Sequence, residues 1–201
     1  MVGLILAGGA GVRFPGTKAL IEVDGSTLIK RNLAMLRSLC ETVCISTNTP
    51  ETYFSLGAPM VGDVVPPSGP LGGIYSTLLA TEAEAVFVMA CDMPYPSAAL
   101  ARLLMEMHGA GGHAATAPMS GGRPEPLYAV YGREAMDAMR TALDGGDFSM
   151  TGLLRRIGAR CITEEAVRRA DPEGRSFINI NTPEDFARAF GRLPNSPDTK
   201  G

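Results

Sequence analysis

Residues 6–18, Leu-Ala-Gly-Gly-Ala-Gly-Val-Arg-Phe-Pro-Gly-Thr-Lys, combine glycines with two cations. Glycines let backbone N–H groups approach an anion, Arg13 can grip phosphate oxygens with its planar guanidinium, and Lys18 adds a point charge. The stretch completes neither common phosphate motif, because Phe14 replaces the last glycine of G-x-G-x-x-G and Thr17-Lys18 reverses the end of a P-loop. A plain glycine turn is the alternative, and the two cations favour phosphate binding.

Asp92 follows the apolar run Ala85–Ala90 and precedes Met93-Pro94. Burying a carboxylate is costly unless it is paired, so packing alone explains this residue poorly. A hard oxygen ligand at this position suits Mg²⁺ held jointly with substrate phosphates. The alternative is an N-cap for the helix that starts near Ser97, but Asp92 lies too far before that start.

Asn179 and Asn181 alternate with apolar residues in a predicted strand over residues 177–181. A period of two places both amides on one face, where they can bond a polar ligand or the local backbone. The spacing leaves both interpretations open.

Gly69-Pro70-Leu71-Gly72-Gly73 is predicted as a loop that either contacts a flat base through its backbone or simply connects two elements.

Alternating strands and helices must position these residues. The predicted strands cover residues 2–7, 42–47, 61–65, 85–90, 114–117, 126–131 and 177–181. The predicted helices cover residues 28–39 after a Ser26 cap, then 74–81, 98–107, 134–143, 151–157, and a last helix capped by Thr182. This order predicts an α/β class with a mainly parallel sheet, in which ligands bind beyond the carboxyl ends of the strands.

The composition limits the classes of function. With 201 residues, 45% of them hydrophobic, and a formal net charge of −3, the chain predicts one domain over residues 1–190 and argues against nucleic acid as a partner. The polar residues 191–201 are expected to form a flexible tail. No apolar run is long enough to cross a membrane, and four cysteines without a C-x-x-C pair indicate reduced thiols in a cytoplasmic protein.

Five stretches, in this order along almost the whole chain, resemble the molybdenum cofactor guanylyltransferase (MobA-like) family of nucleotidyltransferases. They are Leu6-Ala7-Gly8-Gly9 with Arg13 and Lys18, then Gly69-Pro70-Leu71-Gly72-Gly73, Cys91-Asp92-Met93-Pro94, Pro126-Leu127, and residues 177–185. The resemblance implies a three-layer α/β/α Rossmann-like fold. It also implies transfer of GMP from GTP to the phosphate of molybdopterin, with release of pyrophosphate and formation of a guanine dinucleotide cofactor.

The resemblance further implies Mg²⁺ as cofactor and GTP and molybdopterin as small-molecule partners. It implies no membrane partner, and it implies transient contact with molybdenum cofactor or molybdoenzyme proteins. The residues it assigns to the guanosine site are Leu6, Ala7 and Gly9. The residues it places against the triphosphate are Gly8, Gly11, Arg13 and Lys18. Those assigned to the base are Asp63 and Gly73; Asp92 is assigned to Mg²⁺, and Asn179 and Asn181 to the neighbourhood of the acceptor. The predicted catalytic residues are Arg13, Lys18 and Asp92.

Three alternatives stay open at this point. A related transferase would use CTP or another phosphorylated acceptor, although cytidylyl relatives tend to have Leu-Ala-Ala-Gly where this chain has Leu6-Ala7-Gly8-Gly9. A non-catalytic nucleotide-binding accessory protein is favoured by the lack of an acidic residue just before Lys18, where the family usually has one. A dinucleotide oxidoreductase is disfavoured because Phe14 occupies the third glycine position.

Overall fold

A mixed eight-stranded sheet forms the centre of the molecule. A computed structural model describes residues 1–8, 17–65 and 67–191. Its strands are Val2–Leu6 (β1), Glu22–Val23 (β2), Ser26–Thr27 (β3), Thr42–Ser46 (β4), Met60–Val61 (β5), Ala85–Ala90 (β6), Ala115–Ser120 (β7), Arg123–Pro124 (β8), Tyr128–Gly132 (β9) and Arg160–Ile162 (β10). Its α-helices are Leu28–Arg37 (α1), Gly69–Thr81 (α2), Ala98–Gly109 (α3), Met136–Asp144 (α4), Met150–Arg156 (α5), Glu164–Ala170 (α6) and Pro183–Phe190 (α7).

The strand order is β10-β7-β9-β6-β1-β4-β5, with β8 paired to β7 and a separate β2–β3 hairpin. Strand β1 is parallel to both neighbours, and Leu6 pairs with Ser46 on one side and Ala90 on the other. Strand β9 is antiparallel to β6 and β7. The beginning of β9 therefore lies at the same edge of the sheet as the ends of β1, β4 and β6.

Helices cover both faces of the sheet, which confirms the predicted three-layer α/β/α fold. On β1, Leu4 packs into the cluster that contains Ile74 of α2, whereas Ile5 packs into the cluster that contains Leu33 of α1. Residues from α4 and α5 complete the first cluster, and residues from α3 and α6 complete the second. The central strands are thus buried on both sides, which explains why β6 reads as a continuous apolar run.

A third, smaller apolar cluster joins the two ends of the chain. It consists of Ile21, Val23 and Leu28 from the region of the hairpin, together with Ile180 and Phe186 from the C-terminal segment. Because Lys18 precedes the hairpin and Asn181 follows Ile180, this cluster holds these two polar residues close to each other.

Two predicted elements are wrong. Residues 177–181 form no strand; the segment is irregular, and the N–H of Ile180 donates to the carbonyl of Asp92 at 2.9 Å instead of to a neighbouring strand. Residues 69–73 are not a loop, because α2 begins at Gly69 with Pro70 in its first turn, where a missing N–H costs nothing.

The remaining differences concern element boundaries. The N-cap of α1 is Thr27 rather than Ser26, and the predicted strand over residues 61–65 is reduced to Met60–Val61. Strand β10 and helix α6 were not expected from the sequence. The predicted tail falls mainly on residues 192–201, which lie outside the described residues. Within the described ranges, no helix combines the length and the apolar character needed to cross a membrane.

Helix α7 begins with the predicted cap. The hydroxyl of Thr182 accepts from the N–H of Asp185 at 3.1 Å, and the Asp185 carboxylate accepts from the N–H groups of Thr182 and Asn181, each at 3.0 Å. The cap therefore fixes both the helix start and the backbone of Asn181.

Replacing Thr182 with alanine is expected to destabilise the protein by about 1 kcal/mol, because one helix N–H loses its acceptor. The melting temperature should fall by about 2–4 °C in a calorimetric scan. Thr182→Ser keeps the hydroxyl and serves as the control. A Thr182→Ala protein as stable as the serine variant would contradict the role of the cap.

Candidate active site

A cleft of about 890 Å³ lies at the carboxyl ends of the parallel strands. It is lined by the segments that follow β1, β4 and β6 and by the segment that precedes β9; these are residues 6–8, 46–49, 90–93 and 125–127. Lys18, Asp63, Asn179 and Asn181 also line it. This is the position at which open α/β sheets bind their ligands.

Lys18, Asp92 and Asn181 meet in the centre of this cleft although they are far apart in the sequence. The Lys18 ammonium donates to Oδ1 of Asn181 at 2.7 Å and lies 3.9 Å from Oδ2 of Asp92. The side chains of Lys18 and Asp92 are only 20% and 18% exposed. The ammonium is thus held in place, and it remains accessible to an anion in the cleft.

The Asp92 carboxylate is not fully compensated by its surroundings. Burial raises the pKa of Asp92, and the nearby Lys18 ammonium and a backbone hydrogen bond lower it only in part, so that the pKa stays above its ordinary value. Ionised Asp92 therefore carries an energetic cost in the free protein. A cation bound at its oxygens would relieve that cost.

Asn32 supports the turn that carries Asp92 from behind. Its side-chain amide donates to the carbonyl of Cys91 at 3.2 Å, while the N–H of Cys91 donates to the carbonyl of Leu6 at 3.1 Å. Asn32 is completely buried, and its Oδ1 atom has no hydrogen-bond partner among the described residues. Sequence reasoning missed this residue; the available signal was a polar side chain on the apolar face of α1.

Asp63 is held at one end of the cleft by Asn48, a second residue that the sequence did not reveal. The N–H of Asp63 donates to Oδ1 of Asn48 at 2.9 Å, and Nδ2 of Asn48 donates to Oδ2 of Asp63 at 3.1 Å. These reciprocal bonds fix the plane of the carboxylate. Within the described part of the chain, Oδ1 of Asp63 receives no hydrogen bond.

Gly73 lies beneath the cleft and not in its lining. A Cβ atom at this position would overlap Oγ of Ser46 and approach Cδ2 of Leu6 to 3.0 Å. A Cβ on Gly72 would overlap Oγ of Ser68 in the same way. Close packing of α2 on the strand ends therefore requires glycine at position 73, and the turn at Ser68 before α2 requires glycine at position 72, independently of any ligand.

The other predicted site residues fall into two groups. Leu6, Ala7 and Gly8 line the cleft, and their assignment to guanosine and the triphosphate stays a prediction. Asn179 lines it with its Oδ1 atom buried and without a partner among the described residues. Gly9, Gly11 and Arg13 lie outside the described residues, so their assignment to the guanosine site and the triphosphate stays a prediction.

Oxygen donors in the cleft fit Mg²⁺ only in combination with a ligand. Among residues 1–8, 17–65 and 67–191, no group of three His, Cys, Asp or Glu side chains is arranged to hold a metal by itself. Asp92 provides hard carboxylate oxygen atoms in the cleft. Mg²⁺ is commonly bound by one or two carboxylates together with substrate phosphates, and this donor set suits that mode.

Comparison with known proteins gives consistent similarities over most of the chain. The family model for the MobA-like NTP transferase domain matches residues 3–166. A "Probable molybdenum cofactor guanylyltransferase" of Pelotomaculum thermopropionicum is 32% identical over 194 residues, covering 96% of this chain and 94% of the relative. The molybdenum cofactor guanylyltransferase of Desulfosudis oleivorans is 33% identical over 191 residues, covering 94% of each.

A solved structure agrees with the sequence matches. The molybdopterin-guanine dinucleotide biosynthesis protein A of Archaeoglobus fulgidus superposes with a TM-score of 0.84 at 27% identity. The superposition covers 95% of this chain and 97% of the solved chain. The similarity therefore includes the C-terminal segment that carries Asn179 and Asn181.

Asp92→Asn is expected to stabilise the free protein at pH 7, with a rise in melting temperature of about 1–3 °C, because a buried charge is removed. A raised carboxyl pKa in the folded state means that wild-type stability falls as the pH rises through the ordinary carboxyl range and above it. The difference between the two proteins should therefore disappear below about pH 4, where the carboxyl is protonated in both states.

The measurement is thermal unfolding of both proteins across this pH range. Asp137→Asn, at an exposed position on α4, removes a carboxylate outside the cleft and should give no such gain. A lower melting temperature for Asp92→Asn at pH 7 would show that the carboxylate stabilises the free protein.

Proposed function

Because this chain belongs to the MobA-like NTP transferase family, we propose that it transfers GMP from GTP to the phosphate of molybdopterin and releases pyrophosphate. The relatives described above are named for this activity. The main support from the geometry is the meeting of Lys18, Asp92 and Asn181 in one cleft at the strand ends. In that arrangement the fixed Lys18 ammonium can bind the phosphates of a nucleotide, and the incompletely compensated Asp92 carboxylate can bind the accompanying metal ion.

The reaction requires positioning more than a nucleophilic side chain. A terminal phosphate oxygen of molybdopterin attacks the α-phosphorus of GTP, the bond from that phosphorus to the bridging oxygen breaks, and pyrophosphate leaves with the electron pair. Protein groups contribute mainly by alignment and by offsetting negative charge. Lys18, oriented by its hydrogen bond to Asn181, is placed to offset charge on the phosphates.

Asp92, together with phosphate oxygens, would hold Mg²⁺, which when bound neutralises charge on the α-phosphate and the leaving group. Asn32 fixes the position of Asp92 through the carbonyl of Cys91. Arg13, Gly9 and Gly11 are proposed to complete the triphosphate and guanosine contacts. Gly8 lies in the wall of the cleft.

Asp63 is proposed to select guanine. A carboxylate accepts from both the N1–H and the 2-amino group of guanine, whereas cytosine presents an amino donor beside an acceptor nitrogen and would match only one of its oxygens. Asn48 already donates to Oδ2 of Asp63, so the carboxylate plane is set before the base arrives. This pairing favours GTP over CTP.

The reaction is expected to take place in the cytoplasm, where the free cysteines Cys40, Cys44, Cys91 and Cys161 stay reduced. We expect the enzyme to make transient contacts with molybdenum cofactor or molybdoenzyme proteins.

Lys18→Ala should lower the rate of guanylyl transfer by about a hundredfold to a thousandfold, because one preorganised charge at the phosphates is lost. The assay is pyrophosphate release from GTP in the presence of Mg²⁺, with and without molybdopterin. Wild-type release that depends on molybdopterin is the expected baseline.

Lys30→Ala provides the matched control, since Lys30 is exposed on α1 away from the cleft. Its transfer rate and its unfolding temperature should equal those of the wild type. Lys18→Ala should stay folded but unfold at a slightly lower temperature, because ionised Asp92 loses the neighbouring ammonium. Transfer by Lys18→Ala at a near-normal rate would exclude the proposed role of the ammonium. Equal rates of pyrophosphate release with and without molybdopterin would exclude molybdopterin as the acceptor.

Asp63→Asn should change the base preference from GTP to XTP. The ratio of the two affinities should shift by roughly tenfold to a hundredfold, because a mismatched hydrogen bond to a charged group has about this effect. Asn48 donates toward the oxygen of the new amide, which leaves the amide NH₂ to face the 2-oxo group of xanthine and to repel the 2-amino group of guanine. Calorimetric binding of GTP, XTP and CTP to both proteins measures the exchange. An unchanged order of affinities would remove Asp63 from the base site.

A further inference from the structure

Glu125 is a cleft carboxylate to which neither the fold nor the proposed phosphate chemistry assigns a role. It lies between β8 and β9, and its N–H donates to the carbonyl of Pro118 at 2.9 Å. It lines the same cleft as Lys18 and Asp92. The N–H of Ala90, at the end of β6, donates to the carbonyl of Leu127 at 3.1 Å, so the chain just after Glu125 is fixed next to the turn that carries Asp92.

The strand order places Glu125 at the opposite end of the cleft from Asp63. Asp63 follows β5, and Glu125 precedes β9, with β4, β1 and β6 between them. Four steps between neighbouring strands correspond to roughly 19 Å. Lys18 and Asp92 lie in the middle, near the ends of β1 and β6. The cleft therefore has a carboxylate at each end and the phosphate-binding residues between them.

The Glu125 side chain is half-buried and makes no ion pair with any described residue. Burial raises the pKa of its carboxyl, and no neighbouring cation of the described chain opposes that shift. A carboxylate in this condition gains from a ligand that brings N–H donors to it. Sequence reasoning passed over Glu125; the signal was an acid between two prolines directly before a strand.

A role for Glu125 in the chemical step is not needed. The attacking phosphate already loses its second proton near pH 6, so it requires no general base at neutral pH. The remaining part of the acceptor is its pterin ring. Pterin and guanine share the same 2-amino-4-oxopyrimidine edge, with an N–H next to an amino group, and a carboxylate accepts from both donors.

Resting on the function proposed above, we propose that Glu125 recognises the pterin ring of the acceptor, accepting hydrogen bonds from its N3–H and 2-amino groups. The product would then lie across the cleft with its two rings at the two carboxylates and its diphosphate at Lys18. Asp63 and Glu125 make equivalent contacts to the two halves of the product. The acceptor class that this site selects is a 2-amino-4-oxopteridine with a terminal phosphate.

Glu125→Gln should raise the KM for molybdopterin by about tenfold to a hundredfold, since one of two hydrogen bonds to a charged group is replaced by opposed N–H groups. The KM and the calorimetric Kd for GTP should stay unchanged. Glu106→Gln, at an exposed position on α3, is the matched control and should change neither.

A second measurement separates recognition from a merely structural effect. Free pterin and lumazine, the 2,4-dioxo analogue, are compared as competitors of molybdopterin and as ligands in calorimetry, both at saturating GTP so that the Asp63 end of the cleft is occupied. The wild type should prefer pterin over lumazine by about tenfold or more, and Glu125→Gln should lose this preference. A misfolded variant would bind neither compound and would also lose GTP.

The outcomes distinguish the two proposals. If the wild type releases no pyrophosphate when GTP and molybdopterin are both present, the proposed function fails, while the pterin and lumazine affinities still report on Glu125. If the wild type is active but Glu125→Gln keeps the KM and the ring preference, the assignment of Glu125 alone is wrong. A higher Mg²⁺ requirement in place of a higher KM for molybdopterin would also overturn it, by making Glu125 a metal ligand.

Discussion

The site depends on one constraint, the level register of β1 between β4 and β6. Leu6 pairs with Ser46 and Ala90, so the chain leaves the three strands at the same height. Both faces of these strands are covered by apolar clusters, which leave no room for a shift in register. The register of the strands therefore places polar residues that follow them, such as Asp92, at one edge of the sheet.

Burial of the apolar core compensates for the unfavourable free energy of desolvated groups in the site. Asp92 and Glu125 are partly desolvated, and burial raises the pKa of both carboxyl groups. Such groups are unfavourable in the free protein and become favourable when a ligand satisfies them. The small cluster around Ile180 and Phe186 holds the C-terminal segment against the N-terminal part of the chain, so Asn181 can hold the Lys18 ammonium.

The sequence predicted features that depend on local physics. The apolar run of β6 and the cap at Thr182 each depend only on residues that are close in sequence, and the structure confirms both. Alternation over residues 177–181 was misleading because it reflects a segment between a cleft and a core, without a partner strand. The Gly-Pro-rich residues 69–73 were misread because proline is favourable in a first helical turn. The Asn48–Asp63 pair depends on a contact between two segments that follow different strands, which no local pattern contains.

The antiparallel strand β9 has an evolutionary consequence. The end of the cleft that we propose for the nucleotide is built from β1, β4, β5 and β6, whereas the opposite wall comes from a hairpin-like segment between β7 and β9. Insertions or substitutions between β8 and β9 leave the parallel register untouched. Under the proposed role of Glu125, a family member can change its acceptor by changes in this short connection while it keeps its nucleotide site, so that the two specificities evolve separately.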